Sequence, residues 1–137
     1  MKTFLAATAL ALIGFAPARA DAPEAGELWE TTAQASMPGL PVKMKPYTTT
    51  VCQKKEWTQP PKTDRDSGDN CKTTEFTRTG DTLTWKMACD SPPMTGEGQI
   101  TFTGSDAYEG EITMKSDQFA MQMALSGRKL GACDNPK

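Results

Sequence analysis

The chain has 137 residues, 37% of them hydrophobic and 23% charged, with a formal net charge of −2 and no histidine. This length allows one domain of ordinary size. The lack of histidine removes the usual zinc ligand and the usual general base, and the acidic balance disfavours nucleic acid and anionic lipid, which attract basic surfaces.

Residues 1–20 predict an export signal. Lys2 precedes an apolar run at residues 4–15, and Ala-Arg-Ala at residues 18–20 is a small-x-small cleavage site. The apolar run is too short to cross a bilayer as a helix. We therefore expect a soluble periplasmic protein that begins at Asp21, with 13 basic and 17 acidic residues once Lys2 and Arg19 are removed.

The first half of the exported chain is predicted to contain two strands. In the first, Trp29 and Ala33 share a face. Residues 37–46 contain three prolines, which lack the N–H group that a sheet ladder needs, and they predict a loop. The predicted elements are a flexible lead-in at 21–26, strands at 27–36 and 47–52, one helical turn at 54–57 and a polar loop at 58–70.

A hairpin is predicted between Cys71 and Cys89. Gly80-Asp81 forms its two-residue turn, because glycine at the first turn position supplies a positive φ. The second strand of the hairpin alternates, so that four residues share one face: Leu83, Trp85, Met87 and Cys89.

The rest of the chain repeats this alternation after a break in the sheet predicted at residues 90–93. Strands are predicted at residues 96–103, 108–114 and 119–125, and residues 126–137 are predicted to be a polar tail that holds Cys133. The β-domain is assigned to residues 27–133, with residues 134–137 outside it. The fold class is all-β: a single antiparallel meander of about seven strands, strongly curved or closed in part into a barrel.

Four cysteines in an exported chain predict two disulfides. Cys71–Cys89 with Cys52–Cys133 is favoured if the long connection after residue 52 crosses the sheet. Strict hairpin register makes Cys71 and Cys89 diagonal neighbours, so this bridge needs a one-residue bulge or a three-residue turn. If the connection does not cross, Cys52–Cys71 with Cys89–Cys133 is the better pairing.

Five short segments carry a resemblance to a known family: GELWE at 26–30, MPG at 37–39, WKM at 85–87, YEG at 108–110 and SGRKLG at 126–131. With Cys89 and Cys133, they make the chain similar to an exported bacterial family, number 3617 among the domains of unknown function. The resemblance implies a periplasmic address and a methionine-rich β-domain, and it assigns no activity to any residue. Glu27 separates the Gly and Leu that are adjacent in the usual family pattern.

Methionine is the strongest candidate for a functional residue. Met121 and Met123 share a strand face, Met114 is expected beside them, and thioethers suit Cu(I). Because these side chains alternate in register with Phe119 and Leu125, we expect them to pack rather than to bind metal. Another interpretation is an adaptable pocket for an apolar ligand, lined by Trp85, Met87, Met114, Met121 and Met123.

Two further motifs are interpreted as coincidences. Residues 64–70 with Glu75 resemble a calcium loop, but the glycine and the acidic residue at its centre stand in the reverse order. Residues 126–129 match the Ser-x-x-Lys motif of acyl-enzymes, but they follow a predicted strand, where that chemistry needs the start of a helix.

We interpret the chain as a periplasmic, non-catalytic binding or interaction domain for an apolar small molecule or an envelope component. The alternatives are a soft-metal (copper) binding protein and a structural or stress-protective envelope module. No catalytic residue, cofactor or metal site is indicated, and we expect neither a nucleic-acid partner nor a transmembrane segment after removal of the signal.

Overall fold

The computed structural model describes residues 22–61 and 70–136. The predicted signal peptide with its cleavage site lies outside these residues. Positions 64–69 of the calcium-like motif lie outside them as well.

Within the described residues, seven strands form one antiparallel sheet: β1 Ala25–Ser36, β2 Tyr47–Lys54, β3 Cys71–Thr79, β4 Thr82–Asp90, β5 Pro93–Thr103, β6 Ala107–Lys115 and β7 Ala120–Asp134. Their spatial order is β2-β1-β7-β6-β5-β4-β3. Strands β3 to β7 form a meander, and β1 joins this meander beside β7. The sheet curls into a half-barrel, which confirms the predicted all-β fold. Nowhere in the described residues does a helix have the length and apolar character needed to span a membrane.

One face of the sheet, which we call the apolar face, carries the core. It receives every second residue of each strand, because successive side chains of a strand point to opposite sides. The pattern is clearest in β4, where Leu83 and Trp85 are buried and the intervening Thr84 is exposed. The buried core residues are Trp29, Ala33, Trp57, Leu83, Trp85, Ile100, Tyr108 and Leu125.

Glycines on the apolar face allow large side chains from neighbouring strands to lie close to the backbone. Tyr108 pairs with Gly127 across β6 and β7, and a Cβ atom at position 127 would overlap the Tyr108 ring. The glycine therefore makes room for the ring. A single sheet can bury large aromatic residues in this way without a second layer behind it.

The predicted hairpin is present, and both favoured disulfides are confirmed. Gly80 has a φ of 59° at the turn, and a register shift between Thr73 and Glu75 brings Cys71 directly opposite Cys89. Their Cα atoms are 4.0 Å apart. This shift is the one-residue irregularity that the bridge required.

The second disulfide, Cys52–Cys133, joins the two strands that flank β1, and its Cα atoms are 5.9 Å apart. It passes beside Gly26, where an added Cβ atom would lie 3.0 Å from the Cys52 sulfur. In this antiparallel order β2 and β3 point in the same direction, so the chain leaves β2 at one end of the sheet and enters β3 at the other. The predicted crossing is therefore correct.

The prediction of a polar tail from residue 126 is wrong. β7 extends to Asp134 and pairs with β1 from Ser36↔Gln122 to Ala25↔Asp134. The reason is the length of β1, which has twelve residues. Its backbone N–H and C=O groups pair with those of β7 and so stabilise the second half of β7, where regular apolar alternation is absent.

Two smaller predictions also need correction. The break expected at residues 90–93 is a tight turn, in which Asp90 pairs with Pro93 and β5 begins at once. Proline is tolerated there because the first residue of a strand need not donate to the ladder. The helical turn expected at residues 54–57 is instead the end of β2 followed by irregular chain, which turns Trp57 into the core.

Candidate ligand-binding face

The five residues predicted to line a ligand pocket all lie on the apolar face, but at different depths. Trp85 and Met114 are 2% and 9% exposed, so both belong to the packed core. Met87, Met121 and Met123 are only partly buried. The predicted face therefore consists of a closed part and an open part.

The closed part ends in an aromatic cluster, formed by Trp29, Trp57, Phe102 and Tyr108. Ring centroids within it are 5.3–6.1 Å apart, and most pairs meet edge to face, an arrangement that aromatic quadrupoles favour. Trp57 reaches this cluster from the connection after β2. The four rings thus pack against one another at this end of the apolar face.

Tyr108 anchors the cluster to β1 through a polar contact. Its hydroxyl lies 2.7 Å from the Oγ1 of Thr31, which is itself buried. Burial raises the pKa of the Tyr108 phenol above its usual value of 10.0, and the Thr31 hydrogen bond opposes part of that rise. The phenol is thus held neutral as a structural hydrogen-bonding group.

The open part is a strip of partly buried side chains toward the other end of the sheet, and we call it the open strip: Tyr47, Met87, Ile112, Met121 and Met123. Met114, which is buried, pairs with Met121, and Ile112 pairs with Met123 across β6 and β7. The Tyr47 hydroxyl lies 3.8 Å from the Met123 sulfur. Met87 and Met114 converge over Gly96, where a Cβ atom would overlap Met114 and Met87.

Phe119 does not belong to this face, although the alternation predicted that it would. It precedes β7, in a turn that Ser116 closes: the Ser116 hydroxyl oxygen accepts hydrogen bonds from the N–H groups of Gln118 and Phe119, at 3.3 and 3.2 Å. Phe119 is 43% exposed. A serine followed by Asp-Gln was the sequence signal for this turn.

A comparison with known families gives one match. Residues 23–133 match the family described as a protein of unknown function, DUF3617. The chain belongs to the DUF3617 family. The resemblance seen in the five short segments is thereby confirmed. No curated protein and no solved structure matches this DUF3617 chain significantly.

The opposite face of the DUF3617 domain is polar and was not predicted as a site. It forms an open groove of about 580 Å³ that crosses β1, β7, β6 and β5. The polar side chains that line it include Gln34, Gln99, Glu109, Glu111 and Ser126. The alternation that identified the apolar face also places these residues on the opposite face, but it does not reveal a groove there.

Within residues 22–61 and 70–136 of the DUF3617 domain, no three His, Cys, Asp or Glu side chains come together as metal ligands. The thioethers of the open strip, and that of Met114 beside it, offer a different kind of ligand, since sulfur suits soft monovalent copper. The same sulfur atoms are polarisable and their side chains are unbranched, so they also adapt to irregular apolar groups.

Proposed function

We propose that this protein is an exported, non-catalytic binding domain that holds an apolar ligand against the open strip. The observation that carries the proposal is the unequal burial of the apolar face: one end is closed by four aromatic rings, and the other leaves methionine side chains partly exposed. Partly exposed apolar surface of this kind favours a partner that removes it from water.

The composition of the open strip supports an adaptable site rather than a selective one. Three of its five members are methionines, whose three rotatable bonds let the surface adjust to guests of different shape. Tyr47 is its polar member, beside Met123. A linear acyl chain is the kind of ligand that such a narrow, flexible strip accommodates.

Two disulfides support export as the setting for this function. Disulfides persist in oxidising compartments and are rare in the cytosol, and both bridges here join separate strands of the sheet. Together with the signal-like sequence at residues 1–20, they support a periplasmic location. Sequencing of the N-terminus of protein purified from cells should give Asp21; a protein that retained Met1 would contradict export with cleavage.

The ligand proposal is tested with a fluorescent fatty-acid analogue added to the purified, folded protein. We expect saturable binding with quenching of tryptophan emission, and weaker binding after Met121→Gln or Met123→Gln, since the polar amide disfavours an acyl chain. Gln122→Ala is the matched control, because Gln122 lies between these methionines and is exposed on the other face. The open strip would be excluded as the ligand site if the analogue bound only to unfolded protein, or if both methionine variants bound it as tightly as the unaltered protein.

A copper site is the second candidate, favoured by the grouping of Met114, Met121 and Met123 on one face. Titration with Cu(I) against a competing chelator distinguishes it from the acyl-chain site. We expect no sub-micromolar copper binding, since the sulfur atoms also pack against carbon. A stoichiometric site lost in Met121→Leu and Met123→Leu would make copper the better proposal, and native mass spectrometry of protein from its own periplasm would then reveal the ion.

A structural or stress-protective envelope module is the third candidate. Its support is the same set of partly exposed methionines, because thioethers are oxidised reversibly to sulfoxides. Native mass spectrometry also tests this candidate: protein that carries neither lipid nor metal, and whose methionines are oxidised in stressed cells, would favour it.

A further inference from the structure

Most of the large apolar side chains that are exposed lie at one end of the sheet. Among the described residues, five large hydrophobic residues are exposed, and four of them occupy two connections, the β1–β2 loop and the β6–β7 turn. They are Leu40, Val42, Met44 and Phe119, at 58%, 65%, 46% and 43% exposure. We call this set the apolar tip.

The two connections are neighbours in space. Ser36, the last residue of β1, pairs with Gln122 of β7 on one side and forms a bridge with Lys43 of the loop on the other. The loop and the turn before β7 therefore both project beyond the end of β1. Side chains from distant parts of the sequence are thereby brought to the same end of the sheet.

The β1–β2 loop carries fewer backbone donors than its length would suggest. Residues 37–46 include three prolines, which have no N–H group. Two further N–H groups are already paired, from Leu40 to the carbonyl of Met37 at 3.2 Å and from Met44 to the carbonyl of Ala35 at 3.0 Å. Each missing or paired donor removes part of the cost of placing the loop in a medium without water.

Charge at the tip is opposite in sign to that of the whole chain. Residues 37–46 contain Lys43 and Lys45 and no acidic residue, and Lys115 ends the strand before the β6–β7 turn. In that turn Asp117 is the acidic residue. The formal charge of the whole chain is −2, so the lysines gather where the exposed apolar groups are.

We propose that the apolar tip is a contact site for anionic phospholipid bilayers. Leu40, Val42 and Phe119 enter the boundary between headgroups and acyl chains, and the lysines contact the lipid phosphates. Lysines beside exposed apolar residues suit such a surface, since their long stems stay apolar while their ammonium groups reach the headgroups. A protein partner fits less well, because lysine is depleted in protein interfaces.

This inference goes beyond ligand binding and does not depend on it, although both surfaces lie toward the same end of the sheet. The overall negative charge argued against anionic lipid when only the sequence was considered. The fold changes that conclusion, since electrostatic attraction to a membrane falls off within a Debye length, about 8 Å at physiological salt. Only charges near the contact are decisive.

The test is co-sedimentation of the purified protein with vesicles of phosphatidylglycerol and phosphatidylcholine mixed in equal parts. We expect binding that weakens as salt is raised and that is lost on pure phosphatidylcholine vesicles. Leu40→Asp with Val42→Asp should reduce the binding by about tenfold or more, since each substitution removes apolar surface and adds repulsion. Lys43→Glu with Lys45→Glu should reduce it to a similar extent without removing any apolar side chain.

Leu130→Asp is the matched control, because Leu130 is the fifth exposed apolar residue, at 47%, and lies in β7 away from the tip. Near-ultraviolet circular dichroism confirms that each variant is folded. The proposal is overturned if the unaltered protein does not bind the mixed vesicles, or if Leu130→Asp weakens binding as much as the tip variants. Self-association that Leu40→Asp abolishes, without any vesicle binding, would assign the tip to a second copy of the chain instead.

Discussion

The indole ring of Trp85 lies over Gly98, its register partner on β5, in the space that a side chain at position 98 would fill. Trp85 is 2% exposed. The pair shows how this sheet buries a large ring against itself: the glycine removes the Cβ atom, and the ring takes its place.

Gly98→Ala is therefore expected to destabilise the protein by about 1–3 kcal/mol, the usual cost of overpacking a filled core. Urea denaturation followed by tryptophan fluorescence measures the change. Gln99→Ala is the control, because Gln99 is exposed on the polar face. Equal stability of the two variants would show that the Trp85 ring moves aside without cost.

The two disulfides are expected to contribute unequally to stability. In the loop-entropy description, the bridge between residues 81 positions apart contributes about 4.5 kcal/mol and the bridge between residues 18 positions apart about 3 kcal/mol. Replacing Cys52 and Cys133 with alanine should therefore lower the free energy of unfolding more than replacing Cys71 and Cys89. The reverse order, measured by denaturation of both double variants, would contradict the entropic account.

Alkaline pH should destabilise the protein through Tyr108. Burial raises the folded-state pKa of its phenol above 10.0, so its stabilising effect is complete below pH 10.0 and is lost as the pH rises through the folded-state pKa. The unfolded chain ionises first. Tyr108→Phe should make the decline in stability above pH 10.0 shallower.

The same substitution has a second effect at neutral pH, where it leaves the buried Thr31 hydroxyl without the Tyr108 oxygen. We expect a loss of about 1–3 kcal/mol there. Denaturation curves from pH 7 to above pH 10 separate the two effects. An unchanged alkaline slope in Tyr108→Phe would exclude Tyr108 as the titrating group.

Trp57 is expected to be essential to the stability of the aromatic cluster. It is 8% exposed and contacts the rings of Trp29, Phe102 and Tyr108. Trp57→Ala should cost about 3–5 kcal/mol, the range found when a buried Trp or Phe is truncated. Thr58→Ala, at the exposed neighbouring position, should cost little; a similar loss in both variants would mean that the connection, and not the ring, matters.

Much of the sheet could be predicted because its signals are local. Alternation in β4 identified the face that carries Leu83 and Trp85, and Gly80-Asp81 identified the turn. The disulfide pairing was only narrowed to two alternatives, because the sequence does not show whether the connection between β2 and β3 crosses the sheet, and the structure decides for Cys52–Cys133 with Cys71–Cys89. A bulge was needed to bring Cys71 opposite Cys89, and the shift between Thr73 and Glu75 supplies it.

The parts that could not be predicted depend on partners far away in the sequence. The second half of β7 has Gly127 and Gly131 where a strand usually has apolar side chains, and its partner β1 is at the other end of the chain. Trp57 is buried from an irregular segment, where no periodicity exists to be detected. The division of the candidate face into closed and open parts depends on the depth of each residue, which alternation does not report.

The pairing of β1 with β7 has a consequence for the order of folding. Among the seven described strands, the one nearest the N-terminus pairs with the one nearest the C-terminus, and β2 is attached to the sheet only through β1. Contacts between such distant segments form slowly, because a long chain must close on itself before they can be made. Until residues 120–134 are available, β1 and β2 have no neighbouring strand that joins them to the rest of the sheet, so the docking of β7 against β1 is the step that completes the native topology.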